Sequence, residues 1–124
     1  MPKTGGSSRA TASVLIVDDN VDQADSLAAL CRLLGHEVHV AYNGEAALEA
    51  ARRARPAIAF LDITLPGMDG YEAARRLRAE LPRVRLVAVS GRGRDEDRDR
   101  ALGAGFDHFL LKPLDPKFLE SLLG

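Results

Sequence analysis

The chain has 124 residues, enough for one domain with a real core and too few for two. Lys and Arg total 17 against 18 Asp and Glu, a formal net charge of -1. Composition therefore advertises neither a nucleic-acid nor a membrane surface, and any effect on DNA is expected to be indirect.

No apolar run approaches the roughly 18 residues a membrane span needs, and the N-terminus lacks the apolar core of a secretory signal. The expectation is a soluble, cytoplasmic protein with no membrane insertion. A single cysteine, Cys31, excludes an internal disulfide and a cysteine-cluster metal site. It shares a helical face with Ala24, Leu27, Ala28 and Leu34 and reads as a small buried hydrophobe.

Residues 1–12 (MPKTGGSSRATA) are polar, Gly/Ser-rich and without periodicity, so they read as a flexible N-terminal tail ahead of a domain over 13–124. The run SVLIV at 13–17 is apolar and β-branched and ends abruptly in Asp18-Asp19-Asn20, as a central strand covered on both faces does. Asn20 suits a helix cap, with Gln23 three residues on completing a capping-box-like pair, and Gly35 closes that helix. HEVHVAY at 36–42 alternates polar and apolar residues, which predicts a strand with one exposed face at a sheet edge. His36 and His39, three apart and without a companion ligand, are a weak metal signal.

Asn43-Gly44 turns the chain into an Ala-rich helix that Pro56 stops. A third apolar strand follows and delivers Asp62 into Pro66-Gly67 and Asp69-Gly70. Asp69 with Glu72 is another cap-like pair, opening a helix that buries Ala73, Ala74, Leu77 and Leu81 and turns its arginines outward. RLVAVS at 85–90 is a fourth strand and delivers Ser90 in the same way. Beyond Gly91-Arg92-Gly93, RDEDRDR at 94–100 is charged at every position. It predicts a solvated, loosely held helix, supported by pairs such as Glu96 with Arg100 and anchored only by Ala101 and Leu102. DHFLL at 107–111 is strand five, ending in Lys112-Pro113, and Asp115 with Pro116 opens a short last helix.

Five strands alternating with five helices predict an α/β fold of the flavodoxin-like (βα)5 kind. Its parallel five-stranded sheet takes the order 2-1-3-4-5 and carries helices on both faces. Under that topology the carboxyl ends of four strands bring Asp18, Asp19, Asp62, Ser90 and Lys112 to one crevice. Two carboxylates about 4 Å apart repel by about 4 kcal/mol at an effective dielectric of about 20, so three of them call for a proton, a cation or both. A hard divalent ion such as Mg2+, with Mn2+ or Ca2+ as substitutes, suits all-oxygen ligation. Lys112 supplies charge for an anion and Ser90 a hydroxyl donor, so an anion is expected beside Asp62. A carboxylate is a competent nucleophile toward phosphorus, which points to transient phosphorylation of Asp62. A phosphatase of the haloacid dehalogenase type would want a second acid two residues further on, where Thr64 stands.

VDD at 17–19, LDITLPGMDGYE at 61–72, VS at 89–90 and GAGFDHFLLKP at 103–113 resemble the receiver domain of two-component response regulators, the CheY-like superfamily. The last of these stretches resembles receivers fused to hybrid histidine kinases. The resemblance implies that Asp62 takes phosphate from a phosphohistidine on a histidine kinase or histidine phosphotransfer protein. It implies that Asp18, Asp19, Asp62 and the Thr64 backbone carbonyl hold Mg2+, and that Lys112 contacts the phosphoryl group. Ser90 would be the hydroxyl switch, Phe109 the aromatic that moves with it, and Lys112-Pro113 a cis peptide. Thr64, Gly91 and Arg92 would set phosphate lifetime, Arg92 by reaching the phosphoryl oxygens. Readout is expected on the surface of the fourth helix, fifth strand and fifth helix, in a monomer or weak dimer that catalyses only its own phosphorylation and dephosphorylation.

Overall fold

In the computed structural model, which describes residues 13–63, 70–91 and 95–123, each apolar run of the sequence forms a strand. The strands are β1 (Ser13–Val17), β2 (Glu37–Ala41), β3 (Ile58–Asp62), β4 (Arg85–Ser90) and β5 (His108–Leu111). They alternate with α1 (Val21–Leu33), α2 (Gly44–Ala54), α3 (Gly70–Glu80), α4 (Asp95–Gly103) and α5 (Pro116–Leu123). All pairings are parallel, in the order β2-β1-β3-β4-β5. The order reverses between β1 and β3, and a doubly wound sheet opens its crevice at that point, outside the carboxyl ends of the strands.

The period-two alternation of each strand sorts its side chains into two cores. Leu15, Val17, Ala59, Leu61, Leu86 and Ala88 face α2, α3 and α4. Val14, Ile16, Ile58, Phe60, Val87 and Val89 face α1 and α5. Alanines at 47, 50, 51, 73 and 74 make the inner faces of α2 and α3 slim and buried, so the two helices pack close against the sheet. Cys31 is fully buried between α1 and the sheet, and burial pushes its thiol up to about 11, so it is chemically quiet.

Several expectations are corrected or sharpened. The edge strand β2 keeps its exposed face only in part: Glu37 is exposed and His39 half-buried, with its Nε2 2.9 Å from Glu37 Oε2, whereas Ala41 on the same face is buried on the α2 side and Val38 is buried on the α1 side. Helix α4 is not held by Glu96 and Arg100, which form no ion pair with each other among the described residues. Arg100 instead lies over the Tyr71 ring at 4.2 Å and Arg98 over the Phe109 ring at 5.3 Å. Leu102 is exposed, so the apolar anchorage comes from Ala101 with Ala104 and Phe106 just beyond.

The arginines of α3 do not all point outward. Arg78 folds under the helix end and donates to the carbonyls of Pro82 at 3.0 Å, Val84 at 2.6 Å and Gly105 at 2.9 Å, and to Asp107 Oδ2 at 2.8 Å. The tail at 1–12, Thr64, the Asp69 cap and Arg92 lie outside the described residues.

Candidate functional site

Asp18 follows the last residue of β1 and Asp62 is the last residue of β3, neighbouring strands at the point where the sheet order reverses. Both carboxylates are buried, whereas Asp19 is exposed at the rim. Each of the three offers an oxygen within 4.8 Å of the others. Gly70 sets the floor. A Cβ there would come within 2.5 Å of Ile63 Cα and 2.7 Å of the Asp62 carbonyl oxygen, so only glycine lets the start of α3 close against the end of β3.

The cation arrives from the far side. Lys112 directly follows β5, and its N–H donates to the Ser90 carbonyl at 2.8 Å, which fixes the root of its side chain beside β4. Its ammonium donates to Asp62 Oδ2 at 3.0 Å and Asp18 Oδ2 at 3.2 Å. The third acceptor is Gln23 Oε1 at 2.7 Å, a residue the sequence assigned to helix capping. The capping expectation for Gln23 is corrected by geometry: the Asn20 N–H it would have served donates to Asp18 Oδ1 at 2.9 Å, while Asn20 Oδ1 caps Gln23 N at 3.0 Å.

Burial is the largest influence on Asp18 and holds its carboxyl above the ordinary value, against the opposing pull of the Asn20 N–H and Lys112. Burial is also the largest influence on Lys112 and works against its charge. The bonds to Asp62 and Asp18 outweigh it, so the ammonium sits above its ordinary value. The two directions are compatible because one cation serves two acids: Lys112 is doubly compensated, whereas Asp18 shares its compensation with Asp62. The cluster is thus short of positive charge.

Ser90 is buried at the end of β4, beside β3. Gly91 is exposed, and a Cβ there would meet nothing within 4 Å. Phe109 is buried on the α4 side of β5, under Arg98. The Lys112-Pro113 peptide is cis. From the acids a cavity of about 610 Å3 runs between α1 and the β5–α5 connection, with Leu27, Leu30, Phe60, Val89 and Leu114 among its walls. Asp18, Asp19, Asp62, Ser90 and Lys112 therefore stand at one end of the sheet, while Phe109, level with Ala88, lies two residues inward from Ser90 on the opposite face from the cavity.

Fold and site together define a doubly wound domain whose sheet crevice holds a cation-poor acid cluster with one lysine laid across it. A family model described as the response regulator receiver domain matches residues 14–123. The chain belongs to that family, a signalling domain of two-component systems. It is 38% identical over 113 residues to an uncharacterized 14.6 kDa protein of Leptolyngbya boryana, covering 89% of this chain and 86% of that one. It is 41% identical over 100 residues to the transcriptional regulatory protein PrrA of Mycobacterium tuberculosis, covering 81% of this chain but only 43% of PrrA. Among solved structures, the chemotaxis protein CheY4 of Vibrio cholerae superposes with a TM-score of 0.86 at 27% identity, covering 92% of this chain and 97% of that one. No helix among the described residues is long and apolar enough to cross a membrane.

Proposed function

We propose that the domain is a phosphoacceptor switch in which Asp62 takes a phosphoryl group from a phosphohistidine on a histidine kinase or histidine phosphotransfer protein. The observation that carries this reading is the Asp62 carboxylate itself. It is buried at a strand end, held by Lys112 at 3.0 Å, and has two further acids with oxygens within 4.8 Å.

The donor set is all oxygen and short of positive charge, which fits Mg2+, with Mn2+ or Ca2+ as substitutes. Asp18, Asp19, Asp62 and the Thr64 carbonyl would hold the ion, which when bound supplies charge compensation for the phosphoryl oxygens. In the transfer, an Asp62 carboxylate oxygen attacks phosphorus and the P–N bond of the donor breaks. The electron pair stays on the imidazole nitrogen, which takes up a proton from water as it leaves. Lys112 compensates charge on the phosphoryl group, and the Ser90 hydroxyl donates to one of its oxygens. For hydrolysis, a water oxygen attacks phosphorus, the Asp62 carboxylate departs and inorganic phosphate is released.

Ser90 drawn toward the phosphoryl group leaves room on the far side of β4 and β5, which Phe109 takes up. The surface of α4, β5 and α5 is thereby reshaped for a partner. Gly91 leaves the phosphoryl group open to water, and Thr64 and Arg92 adjust its lifetime. The setting is the cytoplasm, as a stand-alone receiver or as the receiver of a hybrid sensor kinase, monomeric or weakly dimeric.

Incubation of the purified chain with acetyl phosphate and Mg2+ is expected to add one base-labile, hydroxylamine-sensitive phosphoryl group, and Asp62→Asn to abolish the addition. Undiminished labelling of the Asp62→Asn chain would overturn the assignment.

A further inference from the structure

An ammonium has three hydrogens, and around Lys112 three oxygens account for them. Two belong to Asp62 and Asp18, the acids that a cation and a phosphoryl group would claim. The third, Gln23 Oε1, is the shortest of the contacts at 2.7 Å and is neutral. It also comes from a different element, the first turn of α1, which is independently pinned by Asn20 Oδ1 on the Gln23 N–H. Since Asp18 Oδ1 already satisfies the Asn20 N–H, the Gln23 carboxamide has no capping duty.

Resting on the phosphoacceptor reading above, we propose that Gln23 is a positioning residue that acts through Lys112. Its carboxamide keeps the ammonium beside Asp62 while the carboxylate oxygens of Asp18 and Asp62 are given over to the cation and the incoming phosphoryl group. A lysine is a point charge on a flexible four-carbon stem and is poorly pre-organised by itself. A tether on α1 restricts it, and because the tether is an uncharged acceptor it adds no repulsion against phosphoryl oxygens. A glutamate at this position would hold the lysine equally well but bring a fourth negative charge to the cluster.

The test compares wild type, Gln23→Leu and Gln23→Met in the full chain. Gln23 is exposed, so both variants leave the core intact. The chain contains only three lysines, Lys3, Lys112 and Lys117, so the ammonium region of a nitrogen-15 spectrum is simple to assign with Lys112→Met as reference. In Mg2+-free wild type the Lys112 ammonium is expected to exchange slowly with water, and in both variants about tenfold faster, the weight of one hydrogen bond to a charged group. A structural role of Gln23 in α1 would leave that signal unmoved. In labelling by acetyl phosphate with Mg2+, the rate constant at saturating donor is expected to fall about tenfold, with the half-saturating donor concentration kept within about twofold. Unchanged ammonium exchange, or a wild-type labelling rate constant in both variants, would overturn the tether. Wild type that takes no label overturns the phosphoacceptor reading instead, and the ammonium exchange then judges the Gln23–Lys112 contact by itself.

Discussion

Gly70 is the position where the site tolerates least. A methyl group there meets the Ile63 backbone at 2.5 Å and the Asp62 carbonyl at 2.7 Å, atoms that cannot rotate away. Gly70→Ala is expected to destabilise the fold by about 1–3 kcal/mol, the usual cost of overpacking, and to slow labelling of Asp62 because the strand end shifts. Urea unfolding and labelling kinetics on one sample check both effects. Asp18 runs the other way. Burial holds its carboxyl above the ordinary value, so above that raised value the ionised group works against folding. Asp18→Asn is therefore expected to raise the midpoint of urea unfolding in Mg2+-free buffer at pH 7 and to weaken Mg2+ binding measured by calorimetry. At this scale the acids and Lys112 were legible in the sequence, because each ends an apolar run and apolar runs end at the crevice. Gln23 was not, since its place three residues after Asn20 fits a capping box equally well. Only the competing claim of Asp18 on the Asn20 N–H decides between the two roles.

Among the helices, α4 departs furthest from what its sequence suggests. Seven charged residues in a row read as intrahelical ion pairs, yet the helix rests on flat rings, with Arg100 over Tyr71 and Arg98 over Phe109. The guanidinium groups sit over aromatics that belong to α3 and β5, so the charged face binds the helix to its neighbours more than to itself. Side-chain pairing across elements leaves no trace at i,i+4 spacing, which is why the periodicity missed it. The consequence is an anchor that is weak and placed where Phe109 has to move if the switch operates. Arg100→Ala is expected to speed amide hydrogen exchange within α4 by about threefold, the size of an exposed cation–π contact, and to leave exchange in α1 and α2 unchanged. The partial covering of the edge strand has a similar origin. The polar positions of β2 promised an open face, which Glu37 keeps, but α2 covers Ala41 at the far end of that face, and coverage by another element is not written in the strand it covers.

Across the whole molecule the two ends of the parallel sheet carry different tasks. The carboxyl ends hold the acid cluster. At the amino ends, Asp107 Oδ2 accepts from the Leu86 N–H at 2.9 Å and from Arg78 at 2.8 Å, while Arg78 also reaches the carbonyls of Pro82, Val84 and Gly105. This clasp ties α3 to the entries of β4 and β5, about four residues or roughly 13 Å of strand away from the site. Burial, the largest influence on Asp107, favours its neutral form, but the Leu86 N–H and Arg78 together outweigh it and hold its carboxyl below the ordinary value. A depressed carboxylate contributes stability that is complete above the unfolded-state value of about 3.9 and is lost as the pH falls through the lower folded value. Asp107→Asn keeps the shape and removes the charge. It is expected to cost about 1 kcal/mol at pH 7, kept low because the side chain is 44% exposed and solvent screens the pair. The gap between the two proteins should close as the pH is lowered from about 5 toward 2 in urea unfolding. Labelling of Asp62 in the folded variant should match wild type, because none of the clasp residues touches the crevice. A variant whose stability deficit persists unchanged at low pH would show that the clasp acts by shape alone, and a variant that labels slowly would show that the two ends of the sheet are coupled.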